Sequence, residues 1–262
     1  MTTKPSIFIT GAAAGIGRAT AELFAGQGWF VGLYDVNEAG VQELRRALGE
    51  ANAVAGRLDV TDAAAFDRAL AQFWDAAGKR LDVLFNNAGI VAVDDFEKVP
   101  LAKHHAVIDV NFKGVVNGAY AAFKYLKQTP GACMVSMSSA SAVYGAPNFA
   151  VYSATKFAVK GLSEALDIEW HRHGITVRDL LPLFVDTPMV QQFENKPKSM
   201  DILGLRLRAP DIARTVWRAA NWPRWWPRVH WYPGFQTWSL AFTQKFLPGW
   251  FNRLTTKIIT GY

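Results

Sequence analysis

Tyr152 and Lys156 are the two side chains of this 262-residue chain whose types and spacing best fit acid/base chemistry. They are four residues apart in the segment YSATK, so on a helix they share one face. An ammonium about 4–5 Å away favours a phenolate by roughly 3–4 kcal/mol at an effective dielectric of about 20, or about two to three pKa units. The spacing therefore predicts a tyrosine acid/base with a lowered pKa. The same spacing also occurs in ordinary surface pairs, so the pair alone does not decide its role.

A glycine-rich segment follows the first strand-like run, with Gly11, Gly15 and Gly17 in GAAAGIG. Glycines at the start of a helix let the backbone approach a pyrophosphate, and the helix N-terminus offers unpaired N–H groups. The spacing differs from G-x-G-x-x-G, and no G-K-[ST] ending is present, which excludes a Walker A loop. The segment predicts a dinucleotide site, with an ordinary glycine-rich turn as the alternative.

Asp35 ends the second strand-like run, eighteen residues beyond Gly17. A carboxylate in this place is typical of one that hydrogen-bonds an adenosine ribose and repels a 2′-phosphate. Neither Ala14 nor Val36 is basic, so the sequence favours NAD and makes NADP the less favoured cofactor. A helix N-cap or turn aspartate is the alternative interpretation.

Short apolar runs alternate with helical patterns along the chain, which predicts a parallel sheet covered by helices on both faces. We expect an α/β chain with one Rossmann-type, doubly wound parallel sheet of about seven strands, and a single domain over residues 1–262. The strand-like runs begin at residues 6, 29, 53, 81, 133, 175 and 228. The irregular stretch 188–208 is the one long connection, and we expect it to form a substrate lid.

Composition limits the class of protein. An apolar fraction of 50% fits a folded enzyme, and the single cysteine, Cys133, excludes an internal disulfide and a thiolate metal cluster. Cys133 lies in an apolar strand pattern, which favours a core role. The five histidines show no metal-ligand spacing, so we predict no metal. The N-terminus lacks the long apolar stretch of a secretory signal, and we expect a cytoplasmic protein.

The net charge of +6 comes from a basic C-terminal extension, residues 222–262, and the segment just before it. No acidic residue follows Asp211, whereas seven basic residues do, and six of the ten tryptophans lie between Trp222 and Trp250. Because the basic groups are confined to this tryptophan- and proline-rich part, we expect no nucleic-acid binding.

Trp238, Phe242 and Phe246 recur at four-residue intervals in the extension and predict one helical stripe, which Trp250 continues only if Pro248 allows it. No stretch of about twenty apolar residues exists, so a conventional spanning helix is excluded. Two interpretations stay open. The extension packs on the body or on another subunit, or it makes peripheral contact with an anionic membrane.

These features together resemble the short-chain dehydrogenases/reductases (SDR family) up to about residue 220. The matching motifs are Thr10-Gly11-x-x-x-Gly15-x-Gly17, Asp59-Val60, Asn86-Asn87-Ala88-Gly89, Asn111, Ser139 thirteen residues before the tyrosine, Tyr152-x-x-x-Lys156, and Pro182 with Thr187. The resemblance implies an oxidoreductase that transfers a hydride between NAD(H) and a secondary alcohol or ketone.

The resemblance also implies roles for four catalytic residues. Tyr152 acts as the general acid/base, Ser139 hydrogen-bonds the reacting oxygen, Lys156 lowers the tyrosine pKa and holds the nicotinamide ribose, and Asn111 anchors a water linked to the lysine. Ser139 could instead cap a turn and Asn111 could be a polar residue of a helix interior.

The implied cofactor-binding residues are Gly11, Gly15, Ile16, Gly17, Asp35, Asp59, Val60, Asn87, Tyr152, Lys156, Val185 and Thr187. Asp59 and Val60 flank the adenine, Asn87 contacts the adenosine ribose side, and Val185 and Thr187 hold the carboxamide. Asp59 could also be a helix N-cap.

One departure from the family is Leu183, where a glycine usually follows the proline. Residues 140–148 and the lid form the expected pocket walls. The lid supplies mostly apolar side chains, tempered by four basic ones: Met189, Val190, Phe193, Met200, Ile202, Leu203 and Leu205, with Lys196, Lys198, Arg206 and Arg208. We expect a lipophilic secondary alcohol or ketone as substrate and a homodimer or homotetramer. The alternatives are a catalytically inactive NAD-binding regulatory protein and an NADP-dependent carbonyl reductase.

Overall fold

The computed structural model describes residues 4–193 and 195–262. Within these residues the chain forms nine β-strands. Their bounds are β1 Ser6–Thr10, β2 Phe30–Asp35, β3 Ala53–Arg57, β4 Val83–Asn86, β5 Cys133–Met137, β6 Thr176–Leu180, β7 Val185–Asp186, β8 Leu207–Arg208 and β9 His230–Trp231.

Seven of the strands form one parallel sheet in the order β3-β2-β1-β4-β5-β6-β9. The order reverses between β1 and β4, and open sheets of this kind bind ligands beyond the carboxyl ends of the strands at such a reversal. The predicted Rossmann-type sheet of about seven strands is therefore confirmed, and the site is expected where β1 and β4 end.

The helices have the following bounds in the described residues. They are α1 Gly15–Gly26, α2 Glu38–Leu48, α3 Ala63–Ala76, α4 Leu101–Ile108, α5 Gly114–Leu126, α6 Ala150–His171, α7 Pro188–Gln191, α8 Lys198–Leu203, α9 Ala209–Ala220, α10 Phe235–Phe246 and α11 Gly249–Thr260.

Helices cover both faces of the sheet, and each face has its own apolar core. Ile7 and Ile9 of β1 pack in a cluster with α1, α2 and α9, whereas Phe8 packs with α3 and α5 on the opposite face. Successive side chains of a strand point to opposite faces, which explains this division. Cys133 is buried in the first of these cores, as its apolar context predicts.

The connection 188–208, which we expected to be irregular, contains short regular elements. Pro188 is the first residue of α7, where its fixed φ suits the start of a helix, and Gly204 ends α8 at φ +72°. The strand β8 then pairs with β7, which ties the two ends of the connection together.

The extension continues beyond β9 as the helices α10 and α11, separated at Leu247 and Pro248. Trp238, Phe242 and Phe246 form the predicted stripe on α10, with ring centroids 5.4 and 4.7 Å apart along it. The helices α10 and α11 pack on the body of the chain through the sides that face away from this stripe, and α11 contacts α8 there. Its end is fixed by Tyr262, whose hydroxyl accepts a hydrogen bond from Asn148 (2.9 Å) and donates one to Asp95.

Along the described chain, we find no helix with both the length and the apolar character that crossing a bilayer requires.

Candidate active site

The carboxyl ends of β1 and β4 are joined by side-chain hydrogen bonds. The Thr10 hydroxyl accepts from the backbone N–H groups of Asn87 (3.0 Å) and Ala88 (3.1 Å). In return the Asn87 amide donates to the carbonyl oxygens of Thr10 (3.0 Å) and Gly11 (3.1 Å). These bonds hold the glycine-rich loop against the end of β4, at the point where the strand order reverses.

The glycines of this loop occupy positions where a side chain does not fit. Gly11 and Gly15 have φ values of +68° and +54°, in the left-handed region that favours glycine. A Cβ on Gly17 would overlap the Gly11 carbonyl and lie 2.8 Å from Nδ2 of Asn87. The loop therefore turns tightly into α1 and leaves its backbone open to a ligand, as a pyrophosphate-binding loop requires.

Asp35 lies at the end of β2 beside the loop. Its carboxylate accepts hydrogen bonds from the backbone N–H groups of Ala13 (3.0 Å) and Asn37 (2.9 Å). The residue thus also stabilises a turn, as the alternative interpretation expected. It nevertheless lines the same cavity as the glycine loop, and its neighbour Val36 is 58% exposed. A negative charge is fixed at this end of the cavity, with no basic side chain at position 36.

One cavity of about 690 Å³ extends from the glycine loop to the C-terminal helices. This volume is within the range of about 300–1,000 Å³ that is usual for ligand sites. Ten predicted site residues line it: Gly11, Gly15, Ile16, Asp35, Asn87, Ser139, Tyr152, Lys156, Val185 and Thr187. Four predicted residues do not line it: Gly17, Asp59, Val60 and Asn111.

Tyr152 and Lys156 lie in the first turns of α6, beside the end of β5. The Lys156 ammonium donates to the Met137 carbonyl (2.8 Å), and its Nζ is 5.4 Å from the centroid of the Tyr152 ring. The Ser138 hydroxyl donates to the Lys156 carbonyl (3.0 Å) and thereby fixes α6 to the strand end. Sequence reasoning assigned no role to Ser138, although it precedes the predicted Ser139.

The protonation of this pair is controlled by burial. Burial raises the pKa of Tyr152, and a hydrogen bond with Ser139 opposes this effect without reversing it. Burial also lowers the pKa of Lys156 to about 8. The sequence predicted a lowered pKa for Tyr152, whereas in this structure burial raises that pKa.

Ser139 caps a short 3-10 turn over residues 140–142, where its Oγ accepts from the Ser141 N–H (3.2 Å). The turn-capping role that we considered for Ser139 is thus present. The same hydroxyl lies close enough to Tyr152 to lower the pKa of its phenol.

Asn111 is buried behind the cavity in a π-helical turn, Asp109–Lys113, between α4 and α5. Its amide pairs with the backbone of Ile90, accepting from the N–H and donating to the carbonyl, each at 2.8 Å. Its Nδ2 is also 3.4 Å from the Thr155 hydroxyl on α6. Asn111 therefore joins the segment after β4 to the helix that carries Tyr152, and such π-turns are frequent at functional sites.

Asp59 and Val60 lie after β3, where they make contacts with the protein itself. Thr61 donates to the Asp59 carboxylate from its N–H (2.9 Å) and its hydroxyl (2.8 Å), and these bonds hold the pKa of that carboxyl below its usual value. Val60 is buried against Gly114. An adenine contact by these two residues stays a prediction.

The end of the cavity next to Tyr152 is apolar and aromatic. Phe149 lies at its centre, with ring centroids 6.2 Å from Tyr152, 6.1 Å from Phe184 and 6.3 Å from Phe193. Leu183, the departure from the family pattern, also lines the cavity. Of the expected lid side chains, Met189, Val190, Phe193 and Leu203 line it.

Other expected lid residues do not line the cavity. Met200 is buried in the protein, and Ile202 and Leu205 are exposed. None of the four basic lid residues lines it either: Lys196, Lys198, Arg206 and Arg208.

The cavity has a roof that sequence reasoning missed. The inner sides of α10 and α11 contribute mainly uncharged polar residues: Gln236, Ser239, Leu240, Thr243, Gln244, Phe251, Asn252, Thr255, Thr256, Ile259 and Thr260. The signal was present as a polar, uncharged stripe opposite the aromatic stripe of the extension. Apolar stripes, not polar ones, ordinarily mark the side of a helix that packs on the protein, so this stripe did not predict a roof.

Among residues 4–193 and 195–262, no group of three or more His, Cys, Asp or Glu side chains is placed to hold a metal ion.

This arrangement of loop, helix and cavity has close counterparts among known proteins. Residues 5–198 match the family model described as short chain dehydrogenase. An uncharacterized short-chain type dehydrogenase/reductase of Sinorhizobium fredii is 33% identical over 80% of this chain, and the match spans only 39% of that relative's length. The cyclopentanol dehydrogenase of Comamonas sp. is 32% identical over 74% of this chain and 78% of its own length. The chain therefore belongs to the short-chain dehydrogenase/reductase family.

Solved structures agree with this assignment. The 3-ketoacyl-(acyl-carrier-protein) reductase of Brucella melitensis, complexed with NADH, has a TM-score of 0.79 at 27% identity and covers 87% of this chain and 96% of its own. The alcohol dehydrogenase of Thermococcus sibiricus, complexed with 5-hydroxy-NADP, has a TM-score of 0.77 at 25% identity and covers 87% and 95%. The chain is an oxidoreductase of this family that uses a nicotinamide cofactor on CH–OH or carbonyl groups.

Proposed function

We propose that this protein transfers a hydride between NAD(H) and a lipophilic secondary alcohol or ketone, with Tyr152 as general acid/base. The observation that most supports this proposal is that Ser139, Tyr152 and Lys156 line the same cavity as the glycine loop and Asp35. One end of the cavity thus has the features of a dinucleotide site, and the other has a buried phenol, a hydroxyl and an ammonium.

The bound nicotinamide supplies or accepts the hydride, and the protein supplies the proton and the orientation. In ketone reduction, the Tyr152 phenol donates its proton to the carbonyl oxygen while Ser139 hydrogen-bonds that oxygen. In alcohol oxidation Tyr152 removes the hydroxyl proton. A raised pKa suits a proton donor, and a cationic ring nearby favours the phenolate that the reverse direction needs.

In the proposal, Lys156 and Asn111 hold other groups in place and do not themselves exchange a proton with the substrate. The Lys156 ammonium donates to the Met137 carbonyl at the wall of the cavity, and its role in the proposal is to hold the nicotinamide ribose hydroxyls. Asn111 fixes the segment at Ile90 and contacts Thr155, one residue before the lysine. We propose that Asn111 is a positioning residue, since its own amide lies behind the cavity wall and not in it.

The choice of NAD over NADP rests on Asp35. Its carboxylate is held beside the loop by Ala13 and Asn37, ready to accept from a ribose hydroxyl and to repel a phosphate in the same place. Val36 offers no positive charge to offset that repulsion. Solved structures of the family contain either NADH or an NADP derivative, so the cofactor preference of this chain has to be measured directly.

The substrate class rests on the aromatic wall. Phe149, Phe184 and Phe193 surround the space next to Tyr152, and Leu183 adds bulk where the family usually has glycine. Apolar walls favour a cyclic, aryl or long-chain substrate over a polyol, because burying hydroxyls there without partners is costly.

A panel of alcohols and ketones, assayed by NADH absorbance with both NAD and NADP, tests the proposal. We expect cyclic, aryl or medium-chain secondary alcohols to be turned over, with NAD preferred. Efficient turnover of polyols alone would contradict the substrate class, and a preference for NADP would contradict the role given to Asp35.

The chain is also expected to act as a single domain in a homodimer or homotetramer. Exposed apolar side chains on the outer surfaces of α5 and α6 favour association, and Tyr120 and Ile168 are the most exposed of them. Light scattering on the purified chain measures the subunit number directly.

A further inference from the structure

The two C-terminal helices have their apolar surface on the outside. Phe235, Trp238, Phe242 and Phe246 on α10, and Trp250, Leu254 and Ile258 on α11, are all exposed. We call these seven residues the outer stripe. The opposite sides of the same helices carry the polar residues that line the cavity. A helix packed on a protein ordinarily has the reverse arrangement, so the outer stripe calls for an occupant.

The aromatic side chains of the stripe are held as a continuous ridge. Phe235 stacks on Trp238 with a centroid distance of 6.0 Å, and the series continues through Phe242 to Phe246. On α11, the residues Trp250, Leu254 and Ile258 follow at four-residue intervals on one side of the helix. Each of the two helices therefore presents an exposed apolar row.

The charges beside the stripe identify the occupant. Lys245, Arg253 and Lys257 are the only charged side chains of α10 and α11, and all three are exposed and basic. Lys245 lies next to the stripe, with Nζ 5.9 Å from the Phe246 ring. Rows of tryptophan and phenylalanine flanked by cations, without any acidic group, match the interface of a bilayer that contains anionic lipids.

We propose that the outer stripe docks this protein on the surface of an anionic membrane, with α10 and α11 lying in the interface and not crossing it. The polar sides of both helices keep their contacts with the cavity, so the roof of the cavity then lies at the lipid surface. This proposal stands on the outer surface of α10 and α11 and does not depend on the proposed reaction.

Co-sedimentation of the full chain with vesicles tests the docking. The vesicles are phosphatidylcholine alone, or phosphatidylcholine and phosphatidylglycerol at about 7:3. We expect binding to the anionic vesicles and at least tenfold weaker binding to the neutral ones. Trp238→Ser combined with Trp250→Ser should reduce binding to anionic vesicles at least tenfold. Arg253→Gln with Lys257→Gln should weaken that binding about fivefold per charge removed and leave binding to neutral vesicles unchanged.

The chain supplies a matched control near the amino end of β6, at the opposite end of the strands from the cavity. Trp225 and Trp226 are 78% and 56% exposed, against 49% and 68% for Trp238 and Trp250. The adjacent Arg224 donates to the Gly174 carbonyl, which lies just before β6 and far from the cavity. Trp225→Ser with Trp226→Ser should bind vesicles like the wild type, and thermal unfolding verifies that both double variants are folded.

Three results would overturn the proposal. The first is that the wild type does not sediment with anionic vesicles at low salt. The second is that the control variant loses as much binding as the stripe variant. The third is that no variant binds vesicles and light scattering shows an oligomer that only the stripe variants disrupt. The last result would assign the outer stripe to contact with a second copy. Turnover of a water-soluble substrate should be unchanged in the stripe variant, so a failed docking test leaves the proposed reaction untouched, and a failed reaction leaves the docking test valid.

Discussion

Replacing Lys156 by methionine should stabilise the fold at neutral pH while it removes a group that the reaction needs. Lys156 is 3% exposed, and within the described residues its ammonium donates to one acceptor, the Met137 carbonyl. Burial lowers its pKa from 10.5 to about 8. That difference corresponds to about 3.4 kcal/mol of unfavourable free energy in the folded state.

Methionine keeps much of the length of the side chain and removes the charge, but it leaves the Met137 carbonyl without a donor, at a cost of about 1 kcal/mol. We therefore expect Lys156→Met to raise the free energy of unfolding by about 2 kcal/mol at pH 7. Buried catalytic charges commonly reduce stability in this way.

The pH dependence has a definite sign. A lysine whose folded pKa is lowered binds fewer protons when folded than when unfolded, so its contribution to wild-type stability improves as the pH rises from about 8 towards 10.5. The variant lacks this component. The stability difference between variant and wild type should therefore shrink by about 2 kcal/mol between pH 7 and pH 9.5.

Urea unfolding at the two pH values, followed by tryptophan fluorescence, measures this difference. Lys160→Met is the matched control, because Lys160 lies one turn further along α6 with a side chain 28% exposed and Nζ 3.6 Å from Glu164. The control should show neither the gain at pH 7 nor the pH-dependent change. A Lys156→Met protein that is less stable than wild type at pH 7, or a gap that does not move with pH, would refute the reasoning.

Two further variants test the dinucleotide end. Gly17→Ala should destabilise the fold by about 1–3 kcal/mol and weaken NADH binding at least tenfold, since its Cβ would overlap the Gly11 carbonyl. Gly26→Ala in the same helix is the control, because a Cβ at Gly26 would have no neighbour within 4 Å. It should be neutral in thermal unfolding or stabilise the fold by up to about 1 kcal/mol. Asp35→Ser with Val36→Arg should shift the kcat/KM ratio of NADP to NAD about 10- to 100-fold towards NADP, because it replaces a repelling carboxylate by a cation. Asp62→Ser, at the N-cap of α3 and away from the cavity, should leave that ratio unchanged, and an equal shift there would discount the role of Asp35.

The fold could be predicted from the sequence because its signals are local and agree with one another. Runs such as SIFIT and CMVSM are mostly apolar and became strands buried on both faces. The glycine loop could be placed as well, since the left-handed backbone of Gly11 and Gly15 and the close approach of Gly17 to the Gly11 carbonyl arise within the loop itself.

Contacts between distant segments could not be predicted. The direction of the Tyr152 pKa is decided by burial, which depends on how distant segments pack around α6. The bond from the Lys156 ammonium to the Met137 carbonyl, nineteen residues away, is one such contact. The Asp59 carboxylate, which the family resemblance assigned to the adenine side, accepts hydrogen bonds from Thr61, a local contact that the motif does not indicate.

The extension shows the same limit on a larger scale. Spacing predicted the stripe of Trp238, Phe242 and Phe246, but not which side of the helix faces the protein. That choice is decided by the cavity beneath, which α10 and α11 cover with polar side chains such as Ser239 and Thr256.

The most direct test of the central claim is Tyr152→Phe, examined for cofactor binding and for turnover. Removing one hydroxyl leaves the aromatic packing against Phe149 in place and takes away the proton that the reaction needs. We predict that calorimetric titration gives a Kd for NADH within about twofold of wild type, while turnover of a cyclic ketone falls about 10²- to 10⁴-fold. Wild-type turnover in this variant would contradict the account.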